Sequence, residues 1–370
     1  MSTDNLKVPS SLYWQSRTVK ATENMWKRLG NFETGILGDE LDEIKIESPV
    51  YVTSLARAGT TIVTEMLNEH PDTTSHRYSD FPWVWTPYWR NYLRQRSQVI
   101  EPRLEERAHK DRILVSQESP EAVEEVLWNH FFPQTHDPRQ SNVLDQQTSL
   151  PVFEKFYTEH LQKLLLVREA KRYLAKGNYN IGRIAYIHKL SPTARFVIPV
   201  RDPINHIASL GKQHQFFIRA ARSDPRIGEQ LQFAGHWEFG PGRRAINYGD
   251  KQAITKIEDA WEHCDEVLGL AWLWRSTYEH LLNQLNASPD LKAACYIFRY
   301  EDLCSDSGHI IDEMLEHCKL DSASFTAQRA QYIEKLTPPD YYQPSFSQAE
   351  RDIITEVCGD IAAQLGYNNI

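Results

Sequence analysis

The chain alternates short apolar runs with longer segments in which apolar residues recur every three or four positions. The short runs predict buried strands at residues 50–55, 173–175, 195–200 and 296–298. Because amphipathic helices separate these strands, the pattern favours an α/β fold with a central, mostly parallel sheet flanked by helices. In sheets of this kind, ligands bind beyond the carboxyl ends of the strands.

Helices are predicted from apolar spacing and from residues that favour helix ends. Pro120, after Ser119, favours a helix start, and Ser347 with Glu350 forms a capping box ahead of the last helix. Further helices are predicted from Gly59 to His70, over residues 151–170, after Asp202-Pro203 and over residues 254–285.

The length of 370 residues allows one elaborated domain, and no repeat, low-complexity tract or linker divides the chain. We therefore expect a single domain over residues 1–370. Residues 1–45 form a helical lead-in, and residues 76–170 and 213–290 are largely helical insertions into the sheet-and-helix pattern.

Composition and charge exclude several classes of protein. The formal net charge of −9 argues against general nucleic-acid binding, although a small anionic ligand needs only a few cations. Apolar runs are too short to span a bilayer, and the first ten residues lack a leader pattern, so we expect a cytoplasmic protein. The five cysteines form no Cys-x-x-Cys pair and the histidines no His-x-x-x-His pair, so no metal site is predicted. The oligomeric state cannot be read from these features.

The loop Arg57-Ala58-Gly59-Thr60-Thr61 joins the first predicted strand to its helix. Backbone amides around Gly59 and the positive end of the helix dipole would favour an anion there. The same residues are equally compatible with an ordinary strand-to-helix turn. A lysine is missing directly after the glycine, so the loop is not a Walker A sequence, and a magnesium-bound nucleoside triphosphate is disfavoured.

Two later strand ends carry residues of the same kind. Arg201 follows the strand at 195–200, and Ser209 lies two helical turns further on, so the two side chains would converge on a second phosphate. Tyr300 begins the segment after the strand at 296–298. Each stretch also has a plain structural interpretation, as a surface ion pair or a capped strand end.

Taken in order, these stretches resemble the sulfotransferase family that uses 3′-phosphoadenosine 5′-phosphosulfate (PAPS). Loop 57–61 resembles the family's 5′-phosphosulfate loop, with Ala58 in place of the usual serine. Arg201 and Ser209 match the residues that bind the 3′-phosphate, and Tyr300-Glu301-Asp302-Leu303 matches a late family segment. The resemblance implies a P-loop-like three-layer fold and PAPS as the donor, bound without a metal.

Sulfuryl transfer requires cations for the developing charge and a base for the acceptor proton. The resemblance implies Arg57 and Lys176 as these cations. The cytosolic members have a catalytic histidine where this chain has Asn178, and an amide cannot act as the base. Asp80 is the first candidate for the base, because flanking aromatic residues would raise its pKa, and His76 is the second.

The sequence does not decide between acceptor classes, and the acceptor is expected to be a carbohydrate, a small metabolite or a tyrosyl hydroxyl. The aromatic run at 81–89 is a candidate wall of the acceptor site, although such a run more often forms core. Residues 236–240 with Arg243 and Arg244 are a candidate loop for an anionic acceptor. Two alternatives remain: a P-loop kinase-like phosphotransferase, or a nucleotide-binding homologue that has lost catalysis.

Overall fold

The computed structural model of the protein describes residues 6–97, 104–106, 114–337 and 344–368. Five strands form the central sheet, in the order β2-β5-β1-β6-β7, and every pair is parallel; β3 and β4 form a separate antiparallel pair. The strands are β1 (Val50–Val52), β2 (Thr73–Thr74), β3 (Glu105–Glu106), β4 (Leu114–Val115), β5 (Arg172–Lys176), β6 (Arg195–Val200) and β7 (Cys295–Arg299).

Alternation along the central strands sorts their side chains into two cores. In β1, Val50 and Val52 pack on one side of the sheet with residues of the helix that follows, whereas Tyr51 packs on the other side. Phe196 and Val197 of β6 are divided in the same way. Because side chains of successive strand residues point to opposite faces, apolar residues at consecutive positions require helices on both faces. The predicted three-layer α/β fold is therefore confirmed.

Helices fill both outer layers. Those that precede β5 are α1 (Ser10–Ala21), α2 (Glu23–Leu37), α3 (Asp39–Asp42), α4 (Thr60–Asn68), α5 (Pro87–Arg96), α6 (Glu125–Phe131) and α7 (Pro151–Arg168). Those that follow it are α8 (Ile184–Leu190), α9 (Pro203–Ser223), α10 (Arg226–Phe233), α11 (Lys251–Glu262), α12 (Glu266–Ala287), α13 (Pro289–Ala294), α14 (Tyr300–Ser305), α15 (Ser307–Cys318), α16 (Thr326–Lys335) and α17 (Gln348–Gln364). In the described ranges, none of these helices is long and apolar enough to cross a membrane.

Two helix predictions differ from the structure. Pro120 does not start a helix: it forms a β-bridge with Arg77, and α6 begins only at Glu125. The single helix predicted over 254–285 is two helices, because the chain takes a left-handed conformation at Cys264 (φ 62°) between α11 and α12. Apolar periodicity continues through this break, so the sequence pattern did not reveal it.

The register of the sheet places the carboxyl ends of β1 and β5 next to each other and beside β6. Val52, the last residue of β1, is level with Lys176, the last residue of β5, and with Val197 of β6. The loops after these strands therefore open at the same edge of the sheet, where parallel α/β sheets bind ligands.

Candidate active site

The loop after β1 wraps around the start of α4. Gly59 precedes the helix in the left-handed region (φ 101°), and Arg57 also has a positive φ of 74°. A side chain at Gly59 would place its Cβ 2.5 Å from the ring of Tyr300, so only glycine allows this close approach. The first backbone amides of α4 lack partners within the helix, and its dipole makes this end positive. The loop therefore has the features of an anion site.

Two arginines from different strand ends meet at this loop. Arg57 Nε donates a hydrogen bond to Ser209 Oγ at 3.3 Å, and Arg201 Nη1 donates to the carbonyl oxygen of Arg57 at 3.2 Å. The guanidinium of Arg201 also lies 5.7 Å from the ring centre of Tyr300. The structure thus brings together Arg57, Gly59, Arg201, Ser209 and Tyr300, which are more than 240 residues apart at the extremes.

Lys176 completes the cationic group from the neighbouring strand. Its Nζ donates to Thr61 Oγ1 at 3.2 Å, and the residue is only 9% exposed. Thr60 Oγ1 donates to Asn178 Oδ1 at 3.4 Å, so the end of β5 and the segment after it each contact loop 57–61. Cationic side chains, hydroxyl groups and backbone amides therefore lie close together around loop 57–61.

Glu121 is the carboxylate that the structure adds to this group. Its Oε1 lies 3.2 Å from Lys176 Nζ, in a largely buried ion pair. The backbone N–H of Glu121 donates to the carbonyl oxygen of His76 at 2.9 Å. This backbone pairing with the segment after β2 places Glu121 at the edge of the sheet. Burial alone would raise the pKa of Glu121, but the charges of Lys176 and His236 outweigh it and hold that pKa well below its usual range.

A cavity lies beside Lys176, and the loop between α10 and α11 forms one of its walls. Asn178 Nδ2 donates to Glu238 Oε1 at 2.7 Å, and the backbone N–H of Trp237 donates to Tyr179 Oη at 2.8 Å. These contacts attach the loop to the segment after β5. The cavity is lined by Ala122, Glu124, Glu125, Trp128, Lys176, Gly177, Asn178, Tyr179, Asn180, Gly235, His236 and Glu238.

Comparison with known proteins identifies the family of this chain. Residues 49–241 match the model of the sulfotransferase family, which is more than half of the chain. The chain belongs to the sulfotransferase family. No curated protein shows a significant match.

Two solved sulfotransferases are similar to this chain at low sequence identity. Sulfotransferase STF9 from Mycobacterium avium is 13% identical, with a TM-score of 0.53, over 90% of this chain and 81% of that protein. Sulfotransferase STF1 from Mycobacterium tuberculosis H37Rv is 15% identical, with a TM-score of 0.48, over 91% of this chain and 82% of that protein. At such identities the first comparison supports the fold alone.

Asp80 does not have the environment expected of a base in this sulfotransferase. Its carboxylate is 1% exposed and forms an ion pair with Arg168 at 2.7 Å, with further hydrogen bonds from Asn91 and the ring of His76. The prediction that the pKa of Asp80 is raised is wrong. Burial alone would raise this pKa, but the charges and hydrogen bonds of Arg168 and His76 outweigh burial and lower it strongly. The other candidate, His76, lies between Asp80 and His160, and neither candidate lines the cavity beside Lys176.

The two arginines predicted to bind an anionic acceptor have other partners. Arg243 forms an ion pair with Glu266 and lies over the ring of Trp261, 3.8 Å from its centre. Arg244 donates to the carbonyl oxygen of His136 at 2.9 Å and lies over the ring of Trp237. Both guanidinium groups therefore already have partners within the protein.

The aromatic run at 81–89 mainly serves packing. Trp85 is fully buried and belongs to a core cluster with Val84 and Phe156. None of the run's residues lines the cavity beside Lys176. The interpretation of this run as core agrees with its observed position.

Glu121 could not have been found by motif. No spacing relates it to Lys176, from which it is separated by 55 residues and two helices. The signal that was present, a glutamate after Pro120, indicated a helix start instead. Only the pairing of this segment with the chain near His76 places the carboxylate next to the lysine.

Proposed function

We propose that this sulfotransferase transfers a sulfuryl group from PAPS to an acceptor hydroxyl without a metal ion. The single observation that supports this most is the meeting of Arg57, Arg201 and Ser209, with Lys176 on the other side of the same loop. Two cationic groups around one loop suit a ligand that carries two separate anionic groups.

The residues present fit such a donor. The amides at the start of α4, together with Thr60, Thr61 and Arg57, would hold the 5′-phosphosulfate, because amides and guanidinium groups donate hydrogen bonds to oxyanions. Arg201 and Ser209 would hold the 3′-phosphate. These residues follow two adjacent strands, β1 and β6, whose positions are set by the sheet, so they need little rearrangement on binding.

When bound, the donor supplies a sulfuryl group that is activated by its phosphate leaving group. The acceptor oxygen forms a bond to sulfur, the bond from sulfur to the 5′-phosphate oxygen breaks, and the acceptor proton passes to a base. Lys176 and Arg57 would stabilise the charge on the transferred and leaving oxygens. In-line transfer would require the acceptor oxygen to lie on the side of sulfur opposite the leaving oxygen.

We assign the base to Glu121 in place of Asp80. Its carboxylate is ionised at neutral pH, as a proton acceptor must be, and it contacts the lysine that would face the donor. When Lys176 turns toward the donor, the ion pair loosens and the pKa of Glu121 rises, which makes the carboxylate a better base. Asp80 is paired instead with Arg168, whose side chain is itself buried and is not among the groups that contact loop 57–61 in the described ranges.

Calorimetric titration with adenosine 3′,5′-bisphosphate tests the donor site. We expect micromolar binding, about −8 kcal/mol, that does not require magnesium. Binding of magnesium ATP without binding of the bisphosphate would instead support a kinase-like phosphotransferase. Transfer of labelled sulfate to an acceptor panel then tests catalysis, since a homologue that has lost catalysis would bind the bisphosphate and label nothing.

A further inference from the structure

The polar contacts around loop 57–61 continue through Asn178 to the loop that contains His236. Thr60 donates to Asn178, whose Nδ2 donates in turn to Glu238 Oε1 at 2.7 Å. The other oxygen of this carboxylate, Glu238 Oε2, lies 3.6 Å from His236 Nδ1, at ion-pair distance. An amide, a carboxylate and an imidazole therefore follow one another beside the proposed site. A carboxylate in this position orients an imidazole for proton transfer.

His236 also shares its electrostatic environment with the proposed base. His236 and Lys176 line the same small cavity, and Lys176 Nζ lies 3.2 Å from Glu121 Oε1. Burial would lower the pKa of His236, but the carboxylates of Glu238 and Glu121 outweigh burial and raise it. After Lys176, His236 is the cation that holds the pKa of Glu121 low. The imidazole and the carboxylate of Glu121 therefore influence each other's protonation.

One water molecule is enough to connect these two groups. The cavity beside Lys176 has room for about one water molecule. Its walls include polar side chains of Lys176, Asn178 and His236, and also Ala122, which directly follows Glu121 in the chain. Acid–base groups act through direct hydrogen bonds or through one water. The cavity therefore offers a path for a proton between the segment of Glu121 and the imidazole.

His236 is the most exposed ionisable side chain of this group. Its side chain is 30% exposed, whereas those of Glu121, Glu238 and Lys176 are 12%, 9% and 8% exposed. Imidazole is also the side chain that changes its protonation near neutral pH. A proton that reaches His236 can therefore leave to solvent, whereas a proton on Glu121 is enclosed by the protein.

We propose that His236 is the proton carrier of this site and that Glu238 and Asn178 are its positioning residues. This inference rests on the proposed function. The acceptor hydroxyl gives its proton to Glu121, which passes it to the neutral imidazole. Because Glu238 faces Nδ1, the proton enters at Nε2, and the imidazolium then releases it to solvent. Glu121 returns to its carboxylate form and His236 to its neutral form, so no proton accumulates over a turnover.

The pH dependence of turnover follows from the charged and titratable groups around the imidazole. Those that act on it or line the same cavity are Glu238 of its own loop, Lys176 of β5, Tyr179 after β5, and Glu121, Glu124 and Glu125 at the start of α6. His236 accepts a proton only when it is neutral, so kcat in weak buffer should rise with pH as the imidazole loses its proton. In Glu238→Gln the side-chain oxygen still accepts from Asn178 but the charge is lost. The rise in kcat should therefore move to lower pH.

Chemical rescue tests the role as carrier. With the best acceptor of the panel, in weak buffer, His236→Ala should lower kcat at least about tenfold and leave the Kd for adenosine 3′,5′-bisphosphate unchanged. Added imidazole should restore kcat, because a small base near the missing ring takes the same proton. An unchanged kcat in His236→Ala, or a loss that imidazole does not restore, would overturn the inference.

His309→Ala is the matched control for this experiment. His309 Nε2 also lies beside a glutamate, 3.4 Å from Glu313 Oε1, but it belongs to α15 and does not line the cavity. Its loss should leave kcat unchanged, with or without imidazole. Rescue of both variants to the same extent would show a general effect of imidazole and contradict the assignment of His236.

NMR titration of the imidazole rings gives a readout that needs no turnover. The signals of His236 are assigned from their absence in His236→Ala. The pKa of His236 should be lower in Glu121→Gln and in Glu238→Gln than in the wild type, because each variant removes a carboxylate that favours the imidazolium. Glu313→Gln should leave this pKa unchanged. A pKa that responds to neither of the first two variants would overturn the inference.

These measurements separate the inference from the proposed function. Bisphosphate binding and transfer of labelled sulfate, together with an unresponsive pKa of His236, would overturn the inference and leave the proposed function standing. A responsive pKa in a chain that does not bind the bisphosphate would support the coupling between His236 and Glu121 and contradict PAPS as the donor.

Discussion

The two halves of the candidate active site are built in different ways. The proposed donor half consists of Arg57, Arg201 and Tyr300, which follow β1, β6 and β7, three adjacent strands of the sheet. The proposed acceptor half consists of Glu121 and the loop with Glu238, which lie in segments outside the central sheet. The donor half presents cations and amides, whereas the acceptor half presents carboxylates.

This difference shows which parts of a site depend on topology and which depend on packing. Parallel strands in register place their following loops side by side, so the donor residues meet once the sheet has formed. Glu121 and Glu238 reach the site only because their loops pack against the segments near His76 and Asn178. We therefore expect variants in the two halves to fail in different steps.

The largest effect is expected from Glu121→Gln. Loss of the proposed base should lower kcat by about 10²–10⁴-fold, while affinity for adenosine 3′,5′-bisphosphate changes little. Steady-state kinetics with labelled donor and calorimetry on the same preparation measure the two quantities. If Glu121→Gln keeps the wild-type kcat, the base lies elsewhere and the acceptor half has been assigned incorrectly.

Asp80→Asn should affect stability instead of chemistry. Removing the charge leaves the guanidinium of Arg168 buried without its partner, which should lower the free energy of unfolding by about 3–5 kcal/mol. Urea unfolding measures this loss, and kcat per folded molecule should remain unchanged. Asp137→Asn is the control, because Asp137 pairs with the exposed Arg139, and its unfolding midpoint should not move. A loss of kcat with full stability would restore Asp80 as the base.

Arg201→Ala tests the donor half with a ligand comparison. Loss of a charge-assisted hydrogen bond should raise the Kd for adenosine 3′,5′-bisphosphate by about 10–100-fold and leave the Kd for adenosine 5′-phosphate unchanged. Arg195→Ala, at the opposite end of β6, is the matched control and should change neither value. Equal weakening of both nucleotides would show that Arg201 does not bind the 3′-phosphate.

The smallest expected effect is a pH dependence of the free energy of unfolding, caused by the buried imidazole of His206 next to loop 57–61. His206 Nε2 donates to the carbonyl oxygen of Ala56, and burial, with the charges of Arg201 and Arg57, lowers its pKa to about 3. Below about pH 6.5 the unfolded chain binds a proton that the folded protein does not. Stability should therefore fall as pH decreases from 6.5 toward 3.

This one residue should contribute up to about 1.4 kcal/mol per pH unit within that window. Urea unfolding between pH 7.5 and 5 measures the slope, and His206→Asn should reduce it. Some slope will remain in the variant, because burial also lowers the pKa values of His214 and His280, each to about 4. An unchanged slope in His206→Asn would mean that this imidazole is not held neutral in the folded protein.

Local pattern was sufficient for four of the five strands of the central sheet, all except β2, and for the residues that meet at loop 57–61. The strand predicted at 195–200 has the same bounds in the structure, and the capping box of Ser347 and Glu350 forms both of its hydrogen bonds. Strand burial, helix caps and a loop with Gly59 each depend on residues that are neighbours in the chain. The composition of such short segments therefore carries the necessary information.

The acceptor half depended on contacts that no local pattern contains. Asp80 and Glu121 both lie outside the α-helices and strands, and only the fold decides that the first meets Arg168 and the second meets Lys176. The role of a carboxylate depends on which cation lies within a few ångströms and on how much water is excluded. Most of the strands and the residues of loop 57–61 were thus readable from the amino-acid order, whereas the order of the strands in the sheet and the partners of each buried charge arose from packing between segments far apart in the chain.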